Sequence, residues 1–178
     1  ATAVNTLGAN YYANGGGIGM GEMASIDVEN NYVSKNSCSN EGGGLSCYAV
    51  AGSSTVVRFK NNIFTGNVAQ THAAAIQINS GDYTFVNNTI AGNSGPYALG
   101  VGAGNGSLSF RMMNNIIWNP LVTIEFNTIT GVSASYNCVR GGLSGTGNIN
   151  ADPLFAASDT LYRLSNTSPA IGAGVLSA

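Results

Sequence analysis

The sequence contains little charge and few titratable side chains. Asp, Glu, Lys and Arg supply 8% of its 178 residues, and there are one histidine and three cysteines. An ordinary globular domain carries about 25% charged residues. The net charge of −2 gives no basic surface for nucleic acid and no polybasic segment for anionic lipid, so we expect neither partner.

Long hydrophobic runs are missing as well. No apolar stretch in the sequence approaches the roughly 20 residues that a membrane-spanning helix needs, so we expect no membrane span. A hydrophobic content of 44% excludes a disordered chain. A chain of 178 residues is long enough for one core, and we predict a single domain over residues 1–178 with residues 140–178 as its C-terminal closing segment.

Three cysteines are too few for a disulfide scaffold. Cys38 and Cys47 lie nine residues apart on either side of a Gly triplet, and in an oxidising compartment they can close a small loop that leaves Cys138 unpaired. Free cysteine is also a common core residue. The sequence therefore leaves open a Cys38–Cys47 disulfide and three buried thiols.

The informative feature that the sequence does have is an internal repeat. An Asn pair, an apolar residue and a further Asn recur at residues 30–36, 61–67, 87–93 and 114–119, with partial copies at 5–10 and 136–139. The second Asn of the pair recurs after 31, 26, 27 and 22 residues. Such steps are the length of one coil of a solenoid.

Two further patterns keep phase with the Asn pairs. Small residues follow each pair, as in Gly42-Gly43-Gly44 and Ala73-Ala74-Ala75, and apolar residues alternate before it, as in Val57 and Phe59. Alternation over a short span is typical of a strand with one buried face. We predict an all-β fold, a single-stranded parallel β-helix of about six coils, in preference to a leucine-rich repeat or a β-sandwich, because the Leu-x-x-Leu-x-Leu framework is absent.

Asparagine suits the bends between such strands. Its short amide tolerates left-handed backbone angles and bonds nearby backbone groups. Where Asn recurs at one place in successive coils, the amides can also bond one another in a ladder. We predict a structural ladder of Asn31, Asn62, Asn88, Asn115 and Asn137.

The repeat resembles that of the chlamydial polymorphic outer membrane proteins and related autotransporter passengers. The matching motifs are Gly-Gly-x-[Ile/Leu], as in Gly43-Gly44-Leu45, and [Phe/Ile/Val]-x-x-Asn, as in Phe64-Thr65-Gly66-Asn67. The end of the chain, with Asn150-Ala151-Asp152-Pro153-Leu154-Phe155 and Ser168-Pro169-Ala170-Ile171-Gly172, resembles the closing segment of bacterial secreted β-helix proteins. The resemblance implies the right-handed pectate-lyase-like fold and an extracellular or cell-surface location.

Proteins of that fold include lyases, hydrolases, adhesins and structural walls, so fold does not decide function. Weak enzyme candidates are Glu22 and Glu41, which the repeat places near one turn in neighbouring coils, together with Arg58 and the lone His72. Arg58 aligns with Asp27 one coil earlier, which favours a surface ion pair. The catalytic residues stay unknown. We expect no metal and no cofactor, with calcium entering only if the protein is a lyase.

We interpret the chain as a non-catalytic extracellular or cell-surface β-helix, structural or adhesive. Its surface of Asn, Ser, Thr and Gly and its scarcity of charge favour this function. End-to-end self-association into fibres and binding of carbohydrate are the partnerships that we expect. The alternative is a polysaccharide lyase or glycoside hydrolase that acts on an extracellular polysaccharide.

Overall fold

The computed structural model describes residues 2–3, 15–21, 25–48, 56–79, 81–101, 108–127, 131–157, 159 and 161–176. Every regular element within these residues is a β-strand, and every pair of neighbouring strands is parallel. Successive turns stack on one another to form three sheets. The predicted all-β parallel solenoid is therefore confirmed.

Each of the three sheets consists of the corresponding strands of successive turns. Sheet B contains β3 (Ser25–Glu29), β7 (Val56–Lys60), β11 (Gly81–Val86), β14 (Leu108–Met113) and β17 (Val132–Ser135). Sheet C contains β4 (Tyr32–Ser34), β8 (Ile63–Thr65), β12 (Thr89–Ala91), β15 (Ile116–Trp118) and β18 (Cys138–Val139). Sheet A contains β1 (Thr2–Ala3), β2 (Ile18–Gly21), β5 (Ser37–Cys38), β6 (Leu45–Tyr48), β9 (Val68–Ala69), β10 (Ala73–Ile78), β13 (Ser94–Val101) and β16 (Leu121–Phe126).

The number of turns is smaller than predicted. Sheets B and C hold five strands each, and the last turn contributes no strand to sheet A, so the described chain completes fewer than the six coils expected. The partial copy at residues 5–10 lies outside the described residues, and the copy at 136–139 leads into the closing segment.

The bend between sheets B and C depends on the first Asn of each pair. Asn30, Asn61, Asn87 and Asn114 adopt φ of 56° to 57°, and Tyr136 takes the same angle in the last turn. Asn enters this left-handed region at lower cost than most residues with a Cβ. The first Asn of the pair thus sets the backbone, which leaves the second free to bond.

The core lies between the three sheets and repeats in columns. The alternation predicted for sheet B is confirmed, since in β7 the buried Val57 and Phe59 alternate with the exposed Arg58 and Lys60. The rings of Phe59 and Phe85 stack in successive turns with centroids 4.4 Å apart, and Phe110 follows edge-on to Phe85 at 5.0 Å. Aromatic pairs of this geometry stabilise a core beyond the area that they bury.

At the Gly triplet, the backbone of one turn packs directly against the backbone of the next. A Cβ at Gly43 would overlap the carbonyl oxygen of Ala74 and meet that of Val68 at 2.5 Å. Gly43 N donates to Ala73 O across the same gap. Small residues at this point therefore permit backbone contact between turns.

The closing segment covers the last turn and then returns along the outside. Tyr136 N donates to Thr146 O, Val139 N donates to Ile149 O, and Ile149 N donates to Asn137 O. Farther along, Asn114 exchanges two hydrogen bonds with the backbone of Val175. The ends of sheets B and C are thus bonded to the closing segment. No helix among the described residues is long and apolar enough to cross a membrane.

Candidate functional site

A ladder of asparagine amides runs along the solenoid at the bend between sheets B and C. In each step the Nδ2 and the backbone N of one Asn donate to the Oδ1 of the Asn in the next turn, at 2.8 to 3.0 Å. The members are the five predicted residues and a sixth from the closing segment: Asn31, Asn62, Asn88, Asn115, Asn137 and Asn148.

The interior amides of this ladder are fully bonded. The second hydrogen of Nδ2 goes to a strand carbonyl of the preceding turn, at 2.7 to 3.2 Å, for Asn62, Asn88, Asn115 and Asn137. These four side chains are at most 1% exposed. A buried amide with all its partners stabilises and orders a core, whereas one with missing partners destabilises it.

A second ladder, not predicted as such, lies at the bend between sheets C and A. Its members are Asn36, Asn67, Asn93 and Asn119. The first three donate in the same way to the Asn of the next turn, at 2.9 to 3.1 Å. These residues are the final Asn of each sequence repeat, so the same period could have indicated them. Position 141, where the next Asn would fall, is Gly.

The second ladder ends on a buried carboxylate. Asn119 N and Nδ2 each donate to an oxygen of Glu125 at 2.8 Å, and Arg140 Nε donates to the same carboxylate at 2.8 Å. The Glu125 side chain is 2% exposed. Because all the amides point their N–H groups toward this end, the row presents the positive end of its dipoles to the negative charge. Arg140 supplies the counterion that a buried carboxylate requires.

The sequence leaves open a Cys38–Cys47 disulfide and three buried thiols, and the described residues contain no disulfide. Cys38, Cys47 and Cys138 are buried free thiols. Cys47 faces the core, where its Sγ lies 3.6 Å from the Tyr83 hydroxyl, while Cys38 lies outside that cluster. The second alternative, buried thiols, is what the structure contains.

The enzyme candidates are partly separated. Glu22 lies outside the described residues. Arg58 projects from the outer face of sheet B and forms an exposed ion pair with Asp27 at 3.2 Å. Glu41 and His72, by contrast, lie at the same bend in successive turns, since His72 N donates to Asn40 O and Gly42 N donates to Ala73 O. The three described candidates therefore do not form one site.

Two tyrosines lie beside Glu41 and His72: Tyr48 contacts Glu41, and Tyr97 contacts His72. The Tyr48 hydroxyl is hydrogen-bonded to the Glu41 carboxylate, and burial followed by this bond raises the pKa of Tyr48. Burial, and then the charge of Glu41, also raise the pKa of Tyr97. The His72 ring lies edge-on to Tyr97 with centroids 6.4 Å apart. This Glu41 cluster (Glu41, Tyr48, His72 and Tyr97) combines hydrogen-bond acceptors and aromatic rings on the side of sheet A.

A groove of about 380 Å³ separates the closing segment from sheet C. Tyr32, Lys35, Phe155, Asp159 and Tyr162 are among its lining residues. The Phe155 and Tyr162 rings meet edge-on at 4.9 Å, and Asp159 forms an ion pair with Arg163 at 2.6 Å. The groove is a second surface with aromatic and charged side chains. No group of three or more His, Cys, Asp and Glu able to hold a metal occurs in the described part of the chain.

Comparison with known proteins gives no further identification. No family model, no curated protein and no solved structure matches the chain. The parallel β-solenoid is thus supported by the structure, and the pectate-lyase-like superfamily remains a resemblance of sequence motifs.

Proposed function

We propose that the protein is a non-catalytic, extracellular β-solenoid with a structural or adhesive role. The observation that carries this proposal is the pair of continuous Asn ladders. They bond each turn to the next with buried amides along the described solenoid, which gives a stiff rod whose outer faces are free to present side chains. Buried polar networks of this kind specify and order a structure.

The distribution of candidate residues supports a binding role rather than catalysis. A lyase of this fold would need a base and acids at one place, and Arg58 lies on sheet B while Glu41 and His72 lie beside sheet A. Glycoside hydrolysis would need two facing carboxylates within about 5 to 9.5 Å. Aromatic side chains such as Tyr48 and Tyr97 suit the apolar faces of sugars, and we propose carbohydrate as the partner.

The closing segment covers the last turn of the solenoid, and this argues against end-to-end self-association. End-to-end stacking needs a last turn with unpaired strand edges, and here the closing segment already bonds Tyr136, Cys138 and Val139. We therefore propose that the protein acts as a single rod, in place of the fibre that the sequence suggested.

The test combines turnover, binding and size. Purified protein is incubated with neutral and uronate polysaccharides, and reducing ends and unsaturated products are measured together with affinity electrophoresis in gels that contain the same polymers. We expect retarded migration without products, and a monomer by light scattering. Products from any polymer would replace the proposal by the lyase or hydrolase alternative, and rods that grow end to end would restore the fibre.

A further inference from the structure

The groove between the closing segment and sheet C is open to solvent and has a volume of about 380 Å³. Small-ligand sites in proteins measure about 300–1,000 Å³ and combine apolar walls with a few polar groups. Tyr32, at the start of β4, is 47% exposed, and Phe155 and Tyr162 of the closing segment supply two further rings. The groove therefore offers an aromatic surface that a ligand can reach from solvent.

A row of left-handed backbone positions follows sheet C beside the groove. Lys35, Gly66 and Gly92 occupy the same position in three successive turns, directly after the paired strands β4, β8 and β12. Their φ angles are 55°, 62° and 67°. A Cβ at Gly92 would overlap the Tyr162 hydroxyl, so glycine lets the closing segment lie against the sheet. This position of the repeat therefore favours glycine.

Lys35 is the exception in this row. Lysine enters the left-handed region at a cost that glycine avoids, and here it lines the groove, with its Cγ 3.5 Å from the place of a Cβ at Gly66. Residues held in such conformations cluster at ligand sites. The ion pairs of the described residues do not include Lys35. Its ammonium group is therefore available to a ligand.

The other charges of the groove are already compensated. The Asp159 carboxylate accepts hydrogen bonds from Leu161 N at 2.8 Å and from Arg163 Nε at 2.6 Å. Lys35 therefore gives the groove a net positive charge. A ligand carboxylate bonds an ammonium group through charge-assisted hydrogen bonds, and the apolar face of a sugar ring packs on an aromatic side chain. The groove combines these two kinds of contact.

We propose that the groove binds one anionic unit of a saccharide, with its carboxylate on Lys35 and its ring beside Tyr32. This inference deepens the proposed adhesive function, on which it rests, by naming the ligand class and the place where it binds. A sialic acid at the end of a glycan and a uronic acid within a polysaccharide both present a ring that bears a carboxylate. The experiment distinguishes these two sources.

Matched pairs of ligands isolate the contribution of the carboxylate. Sialyllactose is compared with lactose, and hexagalacturonate with its methyl ester, by isothermal titration calorimetry at low salt. We expect at least one acid to bind, and its uncharged counterpart to bind about tenfold more weakly. The affinity for the acid should fall as the salt concentration is raised. The acid that binds identifies the source of the unit.

Two variants of Lys35 test the position of the carboxylate. Lys35→Gln removes the charge with little change in size, and Lys35→Gly removes the side chain and suits the left-handed backbone. Each should weaken binding of the acid about tenfold. The matched control is Lys60→Gln, the same change of charge at an exposed position of sheet B outside the groove, which should leave the affinity unchanged. Tyr32→Ala should also weaken binding, because it removes the aromatic surface.

Four results would overturn the inference. These are no binding of either acid to the wild type, equal binding of the uncharged counterparts, unchanged affinity in both Lys35 variants, and an equal loss in Lys60→Gln, which would assign the binding to the overall charge. Retarded migration in polysaccharide gels combined with any of these results would refute the groove and leave the adhesive function standing. Turnover of a saccharide would refute that function itself.

Discussion

Neighbouring asparagines of one repeat should differ sharply in their contribution to stability. Asn87 sets the bend with φ of 57° and an exposed side chain, whereas Asn88 is 1% exposed and belongs to the first ladder. Asn88→Ala removes the acceptor of both Asn62 N and Asn62 Nδ2, each 3.0 Å away. It also removes the donors to Phe59 O and, in part, to Asn115 Oδ1.

The expected loss of unfolding free energy follows from the two Asn62 donors that lose their acceptor. A buried polar group left without its partner costs about 1–3 kcal/mol, so the two donors of Asn62 alone predict about 4 kcal/mol of lost unfolding free energy. Asn88 N keeps its own bond to Asn115 Oδ1, because that donor is backbone. Asn87→Gly should change the free energy by less than about 1 kcal/mol, since glycine adopts the left-handed region readily.

The assay is urea unfolding followed by far-ultraviolet circular dichroism. With a denaturant slope of about 2 kcal/mol per molar, the midpoint of Asn88→Ala should fall by about 2 M, and that of Asn87→Gly should hardly move. Hydrogen exchange at the Asn62 amide reports the broken step directly. A loss below about 1 kcal/mol in Asn88→Ala, or equal losses in the two variants, would refute the reasoning that the ladder stabilises the turns.

Three further predictions concern packing, thiol reactivity and pH. Gly43→Ala should lose about 1–3 kcal/mol in thermal melts, because its Cβ would meet Val68 O at 2.5 Å, whereas Gly19→Ala, with open space around its Cβ, should be neutral; equal effects would contradict this. Burial raises the pKa of the Cys47 thiol, so a disulfide reagent at pH 8 should modify it only after urea unfolds the chain, and rapid native labelling would contradict its burial. The Leu161 backbone N–H, followed by Arg163, lowers the pKa of Asp159. The Asp159 carboxylate should therefore stabilise the closing segment fully above the ordinary pKa of Asp, and this stabilisation should be lost as the pH falls through the lowered pKa. Hydrogen exchange at residues 161–163 should show this pH dependence. The Asp159→Asn variant should abolish the pH dependence.

The ladder and the bend could be predicted from the sequence because both depend on local chemistry at a fixed period. Asn tolerates left-handed angles, and an amide repeated once per turn meets its own kind in the next turn. The division of labour within the pair could not be predicted. Only the backbone angles distinguish Asn87 from Asn88, since the two residues are chemically identical.

The distance between two residues in the sequence did not predict whether their side chains meet in the solenoid. Cys38 and Cys47 are close in sequence and both are buried, yet only Cys47 belongs to the main core cluster. Glu125 offers no repeat pattern, and it ends the second ladder because β16 brings it beside Asn119 and Arg140. The predicted six coils exceed the turns of the described chain, since the repeat copy at 136–139 leads into the closing segment.

The sequence by itself determined the solenoid, the period of its turns, the inward columns of sheet B and the residues of the first ladder, because each of these repeats with the pitch of the chain. The tertiary structure alone decided how the last turn is closed, where Glu125 finds its partners, and which polar atoms stay unpaired. Gln77 and Gly100 lie 23 residues apart and meet only through the register of β10 and β13. The register of this strand pair shifts by one residue between Ala73 and Ile76, and the period of the sequence repeat does not encode that irregularity.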